Sequence, residues 1–223
     1  MNLLIRKDLY TQRVSTYFLT ILWFIIFTNF FTDGQPIRHV ILLAVVAYFI
    51  AISSNTKSFE KESVLINSLP VTRKQVVLAK YAAGLIWFVL SAVAVLIYIF
   101  LFETFAPFPA RMMSITELLI ALGSFFLLIS IYYPLQFKAG YVLASTLTVM
   151  IPVLAMMSLT IIKNILENPR MTSTHEWMMH IAQLLTTNQW TFAFLFLLVS
   201  ALVTWLSIQL SIRIYGNSDF DHA

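Results

Sequence analysis

The chain has 223 residues and a net charge of +4; 60% of its residues are hydrophobic and only 11% are charged. Soluble domains carry roughly 25% charged residues, so this composition and the mean hydropathy of +0.85 exclude an ordinary water-soluble globular protein. Cysteine is absent, which excludes a disulfide framework, thiol chemistry and any cysteine-based metal site.

Six long stretches without Lys, Arg, Asp or Glu predict six transmembrane helices. A helix needs about 20 apolar residues to cross the hydrocarbon core of a bilayer. A charge at the bilayer centre costs about 2.5–3.5 kcal/mol, which explains why these stretches contain none. The predicted spans, adjusted to nearby caps and breakers, are 14–32, 40–55, 81–102, 115–134, 140–162 and 191–212.

Caps and breakers predict where several spans begin and end. The polar turn 33–36 precedes the second span. Ser114 and Glu117 have the spacing of a capping box, in which each side chain accepts a hydrogen bond from the other residue's backbone N–H. They therefore open the fourth span, which we expect to end near Pro134 because proline lacks the helical N–H. Pro152 is expected to interrupt the fifth span.

The distribution of basic residues predicts the orientation. With six spans, ten Lys and Arg residues fall on one side: Arg6, Lys7, Arg13, Lys57, Lys61, Arg73, Lys74, Lys80, Lys138 and Arg213. Four fall on the other: Arg38, Arg111, Lys163 and Arg170. Basic loops stay in the cytoplasm, so both termini are predicted to be cytoplasmic. The charge is spread over loops and faces anionic lipid, which argues against nucleic acid as a partner.

No motif in the chain supports a catalytic, cofactor or metal site. His175 and His180 flank Glu176 but lie five residues apart, whereas the zinc-binding H-E-x-x-H pattern needs four. Neither a phosphate-binding G-x-x-x-x-G-K-[ST] loop nor a G-x-S-x-G motif is present. Hydroxyl residues of the fifth span could line a polar path, but helix packing is the favoured explanation: Ser145, Thr146, Thr148 and Thr160. We therefore predict a non-enzyme without cofactors.

The segment 58–80, between the second and third spans, has more structure than a plain loop. Apolar residues recur at helical spacing and predict a short cytoplasmic helix over 59–68. Pro70 ends that helix, and Thr72 with Gln75 forms a T-x-x-Q cap for a new helix that continues into the third span. The pattern predicts a short helix, a corner and a long lever entering the membrane.

This segment resembles the small six-helix ABC-2-type transporter permeases of bacterial exporters. Those proteins carry an acidic residue and leucines, then S-L-P-x-[ST]-R-K and V-x-x-K-Y entering the next helix. The matching residues here are Glu62, Leu65, 68–74 (SLPVTRK) and 77–81 (VLAKY). Chain length, helix number and the opening 1–9 are also similar. One departure is that larger family members have a big extracellular domain, whereas the longest outer loop here, 163–190, is short.

The resemblance implies a permease of the bacterial cell membrane, with 1–223 as a single transmembrane domain. It implies a translocation path shared with a second permease and cytoplasmic ATPase subunits that drive export. Its coupling helix would fit a groove on the ATPase, with contacts expected from Phe59, Glu60, Glu62, Leu65, Leu69, Arg73 and Lys74. Relatives of this size, similar to phenol-soluble-modulin exporters and to bacitracin or lantibiotic resistance systems, suggest an amphipathic peptide or lipid-like substrate.

Three other functions remain open at this stage. A membrane enzyme is disfavoured because no acid, base and nucleophile cluster lies within a span. An ion-coupled secondary carrier is disfavoured because the spans contain neither deep ionisable groups nor an inverted repeat. A structural or sensory membrane protein is compatible with the composition.

Overall fold

The computed structural model describes residues 4–5, 18, 22, 35–53, 71–105, 112–166 and 188–217. Within these residues every regular element is helical. The four helices are α1 (Gln35–Ser53), α2 (Arg73–Phe105), α3 (Ile115–Leu166) and α4 (Gln189–Asn217). The predicted all-α fold is confirmed for this part of the chain.

In the part of the chain that the structure describes, three helical stretches are long and apolar enough to cross a membrane: Arg73–Phe105, Ile115–Leu147 and Gln189–Asn217. A shorter apolar helix, His39–Ser53, corresponds to the predicted second span. The predicted first span lies outside the described residues except for Phe18 and Leu22, which are helical and exposed. The predicted coupling helix, 59–68, also lies outside them.

Contacts between helices fix their relative directions. His39 and Tyr48 of α1 lie beside Glu117 and Tyr132 of α3, so these helices run the same way. Ring contacts and hydrogen bonds show that α4 is also parallel to α3, whereas α2 is antiparallel to α3. The C-termini of α1 and α4, the N-terminus of α2 and Gly140 therefore share one end of the bundle. We call it the basic end because it holds Arg73, Lys74, Lys80, Lys138 and Arg213.

Aromatic side chains on α1, α2 and α3 pack together within the core. Tyr48 and Tyr132 are fully buried and meet edge to face, with ring centroids 6.1 Å apart. Phe88 and Phe125 pack at 5.2 Å across α2 and α3. Edge-to-face and tilted rings are the preferred aromatic geometries, and they hold these three helices together.

The predicted end of the fourth span at Pro134 is wrong. Helix α3 continues through Pro134, and its backbone departs from helical geometry at Gly140, with φ 82° and ψ 172°. Proline removes the hydrogen bond to the carbonyl four residues earlier, that of Ser130. The hydroxyl of Ser207 on α4 donates to that carbonyl at 2.7 Å. A neighbouring helix thus supplies the missing donor, which is how membrane helices tolerate proline. The break at Gly140 does coincide with the predicted start of the fifth span.

Two other predicted breaks are also helical. Gln35 and Pro36, assigned to a turn, already belong to the first turn of α1. Proline fits there because the first helical N–H groups have no intrahelical acceptor. The backbone likewise remains helical through Pro152. Proline at these two positions therefore does not end a helix.

Candidate functional site

The N-terminus of α2 is held by the predicted cap. The backbone N–H of Gln75 donates to Thr72 Oγ1 at 3.3 Å, and the backbone N–H of Thr72 donates to Gln75 Oε1 at 3.1 Å. These reciprocal bonds are the capping box that the T-x-x-Q spacing predicts. Helix α2 then continues for 33 residues to Phe105. The long helix that was expected to follow Pro70 is confirmed.

Arg73, the first residue of α2, reaches across to the C-terminus of α4. Its Nη1 atom donates to the backbone carbonyl of Gly216 at 2.7 Å and to that of Tyr215 at 3.2 Å. The last four carbonyls of a helix have no intrahelical donor and carry the negative end of the helix dipole. The guanidinium of Arg73 donates hydrogen bonds to these carbonyls and also places a positive charge at the negative end of the helix dipole. Sequence reasoning placed Arg73 near lipid headgroups or an ATPase, and it did not foresee this contact.

A second contact joins α2 to α4 two turns further along. The hydroxyl of Tyr81 is 2.7 Å from Ser207 Oγ and 3.1 Å from Ser211 Oγ. Lys80 is buried beside it, and its backbone carbonyl accepts a hydrogen bond from Tyr133 of α3 at 3.0 Å. Polar side chains thus link all three helices at the basic end.

The buried face of α4 is a row of small and hydroxyl residues. Its buried members are Ala193, Ser200, Thr204, Ser207, Ser211 and Tyr215. Ser130 Oγ donates to Thr204 Oγ1 at 3.0 Å, so this row faces α3. Close approach is required at Gly123, where a Cβ atom would lie 2.7 Å from the ring of Phe196. Small residues that let helices approach closely are typical of packing inside membranes.

The spacing of this row was visible in the sequence, since its hydroxyl members recur at intervals of four, three and four. Sequence reasoning instead noted the hydroxyls of the fifth span. Of these, Ser145 and Thr146 donate to the Val142 carbonyl of their own helix, at 3.0 and 2.8 Å. The side chains of Thr148 and Thr160 lie outside the described residues.

A buried pair of ionisable residues lies at the opposite end of the bundle. His39 Nδ1 is 3.7 Å from Glu117 Oε2, and both side chains are buried. Glu117 also accepts a hydrogen bond from the backbone N–H of Ser114 at 3.0 Å, while its own N–H donates to Ser114 Oγ at 3.3 Å. The predicted cap of α3 is therefore confirmed, and Glu117 also meets α1.

Only two of the predicted ATPase contacts are among the residues that the structure describes. Arg73 and Lys74 are exposed neighbours at the basic end. The remaining members lie outside the described residues: Phe59, Glu60, Glu62, Leu65 and Leu69. Among the described residues no three His, Cys, Asp or Glu side chains could hold a metal ion. His175 and His180 are not among them.

Comparison with known proteins identifies the chain by its family. No curated protein and no solved structure matches it significantly. The family model described as ABC-2 family transporter protein matches residues 3–216. Members of this family are membrane components of transporters and generally work with ATPase subunits. Since the match spans nearly the whole sequence, the chain belongs to the ABC-2 family of transporter proteins.

Proposed function

We propose that this chain is the permease subunit of an ATP-driven bacterial exporter. The observation that carries the proposal is the family match over residues 3–216. In this function the chain forms a translocation path with a second permease, while separate ATPase subunits hydrolyse ATP. Its substrates are amphipathic peptides or lipid-like compounds, which an apolar path can accommodate.

The proposed architecture is a single domain, 1–223, with six spans and both termini in the cytoplasm. Support comes from the basic end of the bundle, where Arg73, Lys74, Lys138 and Arg213 gather. Basic residues favour the cytoplasmic side. The proposed sidedness therefore puts this end in the cytoplasm and the His39–Glu117 pair towards the outside.

A cysteine-labelling experiment tests the sidedness cleanly because the chain has no cysteine of its own. Single cysteines at Gln35 and Asn168 should react with an impermeant thiol reagent in intact cells. Cysteines at Asn67 and Asn217 should react only after the cells are opened. Labelling of Asn67 in intact cells would contradict the proposed topology.

The ATPase is proposed to dock on the segment before α2. Phe59, Leu65 and Leu69 supply the apolar contact, and Glu60 and Glu62 supply polar contacts. Arg73 and Lys74 complete the set at the start of α2. The capped N-terminus and the unbroken length of α2 support this proposal, because a rigid helix carries a movement at its end into the membrane.

Copurification with the ATPase tests the function. We expect the ATPase to copurify with the wild-type chain, and a second permease to be captured by cross-linking in native membranes. Leu65→Asp should abolish ATPase binding, because burying a leucine contributes about 1.5–3 kcal/mol and an unpaired carboxylate costs more.

Leu65→Met is the matched control because it keeps the volume and apolar character of the side chain. His175→Ala, on the proposed outer side, controls for non-specific damage. Both should retain the ATPase. Wild-type binding by Leu65→Asp would refute the coupling segment, whereas absence of any ATPase partner for the wild-type chain would refute the exporter function itself.

A further inference from the structure

The two contacts between α2 and α4 act at well-separated points. Arg73 holds the Tyr215 and Gly216 carbonyls, and Tyr81 holds the Ser207 and Ser211 hydroxyls. Arg73 and Tyr81 are eight residues apart, or about 12 Å along the helix axis. One contact would let the helices pivot, but two at this separation fix their relative tilt.

Helix α3 contacts both α2 and α4 at the same end of the bundle. Tyr133 of α3 donates to the Lys80 carbonyl of α2, and Phe137 packs on Tyr215 of α4 with ring centroids 5.1 Å apart. The contact of Arg73 differs from the others because it lies at the very ends of both helices. It is also exposed, so it can form and break without opening the core.

We propose that Arg73 is a positioning residue that joins the N-terminus of α2 to the C-terminus of α4. The two helix ends then move as one unit, and α4 follows any displacement of the start of α2. This transmission rests on the proposed function, in which an ATPase acts just before α2. It assigns α4, whose outward face is apolar and exposed along its length, as the helix that shifts in the membrane.

We call the contact of Arg73 with the Tyr215 and Gly216 carbonyls the joint. Arginine suits this joint better than lysine. Nη1 carries two hydrogens and donates to two carbonyls at once, with the planar guanidinium holding both directions fixed. A lysine ammonium would keep the attraction to the helix dipole but would lose the fixed geometry. Arg73→Lys should therefore keep part of the joint, whereas Arg73→Gln should lose most of it.

The joint can be tested on the isolated chain in nanodiscs. Amide hydrogen exchange reports fraying of the last turn of α4, and spin labels at Lys138→Cys and Asn217→Cys report the distance between α3 and the end of α4. Arg73→Gln should raise exchange in the last turn and broaden the distance distribution, with Arg73→Lys intermediate. Arg213→Gln, which removes an exposed charge just before the last turn, should leave both unchanged. Wild-type exchange and distances in Arg73→Gln would overturn the joint.

The transmission is tested in the complex with the ATPase and a non-hydrolysable ATP analogue. The distance between the labels should shift on nucleotide binding in the parent and not in Arg73→Gln, both measured at an ATPase concentration that saturates binding because Arg73 is also a proposed ATPase contact. An equal shift in both, or none in the parent, would overturn the transmission. Failure of Arg73→Gln to bind the ATPase at a concentration that saturates the parent would overturn its positioning role and leave Arg73 an ATPase contact alone, whereas failure of the parent to bind would refute the proposed function.

Discussion

Replacing Ser207 by alanine should weaken the packing of α4 against α3 through one identifiable carbonyl. Pro134 leaves the Ser130 carbonyl without its usual helical donor, and Ser207 Oγ donates to it at 2.7 Å. Ser207 Oγ also lies 2.7 Å from the Tyr81 hydroxyl. When Ser207 is replaced by alanine, the Tyr81 hydroxyl still has Ser211 Oγ as a partner at 3.1 Å. The Ser130 carbonyl is therefore the group that loses its hydrogen-bond donor.

The expected cost follows from that carbonyl. A buried acceptor left without a donor costs about 1–3 kcal/mol in soluble proteins. Interhelical hydrogen bonds in membranes average about 0.6 kcal/mol and reach about 1.7. Because the Ser130 carbonyl has no N–H four residues on, we expect the upper part of that membrane range, about 1–1.7 kcal/mol of unfolding free energy.

A double-mutant cycle isolates this effect. Pro134→Ala restores a backbone N–H that can donate to the Ser130 carbonyl. In that background Ser207→Ala should cost only about 0.6 kcal/mol, the membrane average. Unfolding by SDS in mixed micelles, followed by circular dichroism, supplies the four free energies. A suitable control is Ser200→Ala, because Ser200 is buried on the same helix but its hydroxyl donates to the Leu197 carbonyl of α4 itself.

If Ser207→Ala lowers the unfolding free energy equally in the wild-type and Pro134→Ala backgrounds, this reasoning is refuted. The Ser130 carbonyl would then not depend on Ser207 to replace the missing N–H. A loss in Ser200→Ala as large as in Ser207→Ala would show that truncation of any buried hydroxyl is responsible.

The same unfolding assay tests three further substitutions and one control, Gly216→Ala. Gly140→Ala should lose about 1–3 kcal/mol, since φ 82° with ψ 172° is accessible almost only to glycine. Gly216→Ala, where a Cβ atom meets nothing within 4 Å, should stay within about 0.5 kcal/mol of wild type; equal losses at both glycines would refute the strain. Gly123→Ala should destabilise by about 1–3 kcal/mol from the clash with Phe196, although alanine favours helix; a gain in stability would show that the ring moves freely. Ser114→Ala should cost about 0.5–2 kcal/mol through loss of the cap of α3, and no change would mean that water replaces the hydroxyl.

The sequence predicted the starts of α2 and α3 because the interactions that make them are local. Ser114 with Glu117, and Thr72 with Gln75, bond across three residues, so their spacing alone determines the geometry.

The error at Pro134 has a non-local cause. Whether a proline ends a helix depends on whether the freed carbonyl finds another donor, and here that donor, Ser207, is 77 residues away. The contact of Arg73 with Gly216 spans 143 residues, and nothing in the neighbourhood of Arg73 indicates it. The buried pair of His39 and Glu117 is non-local in the same way. Predicting these contacts requires knowing which helices are neighbours.

The two faces of α4 support a membrane environment independently of the family match. Its buried face carries Ser200, Thr204, Ser207 and Ser211, while large apolar side chains are exposed on its other faces: Phe194, Leu195, Leu198, Val199, Leu202, Val203, Trp205, Leu206 and Leu210. In water this arrangement would be inverted, since apolar side chains would be buried and hydroxyls exposed. In lipid it is favourable, because hydrocarbon surrounds the apolar faces while Thr204, Ser207 and Ser211 find partners on α2 and α3. The solvent that this helix is built for is therefore the bilayer, and the buried hydroxyl contacts that join it to α2 and α3 lie where water does not compete for them.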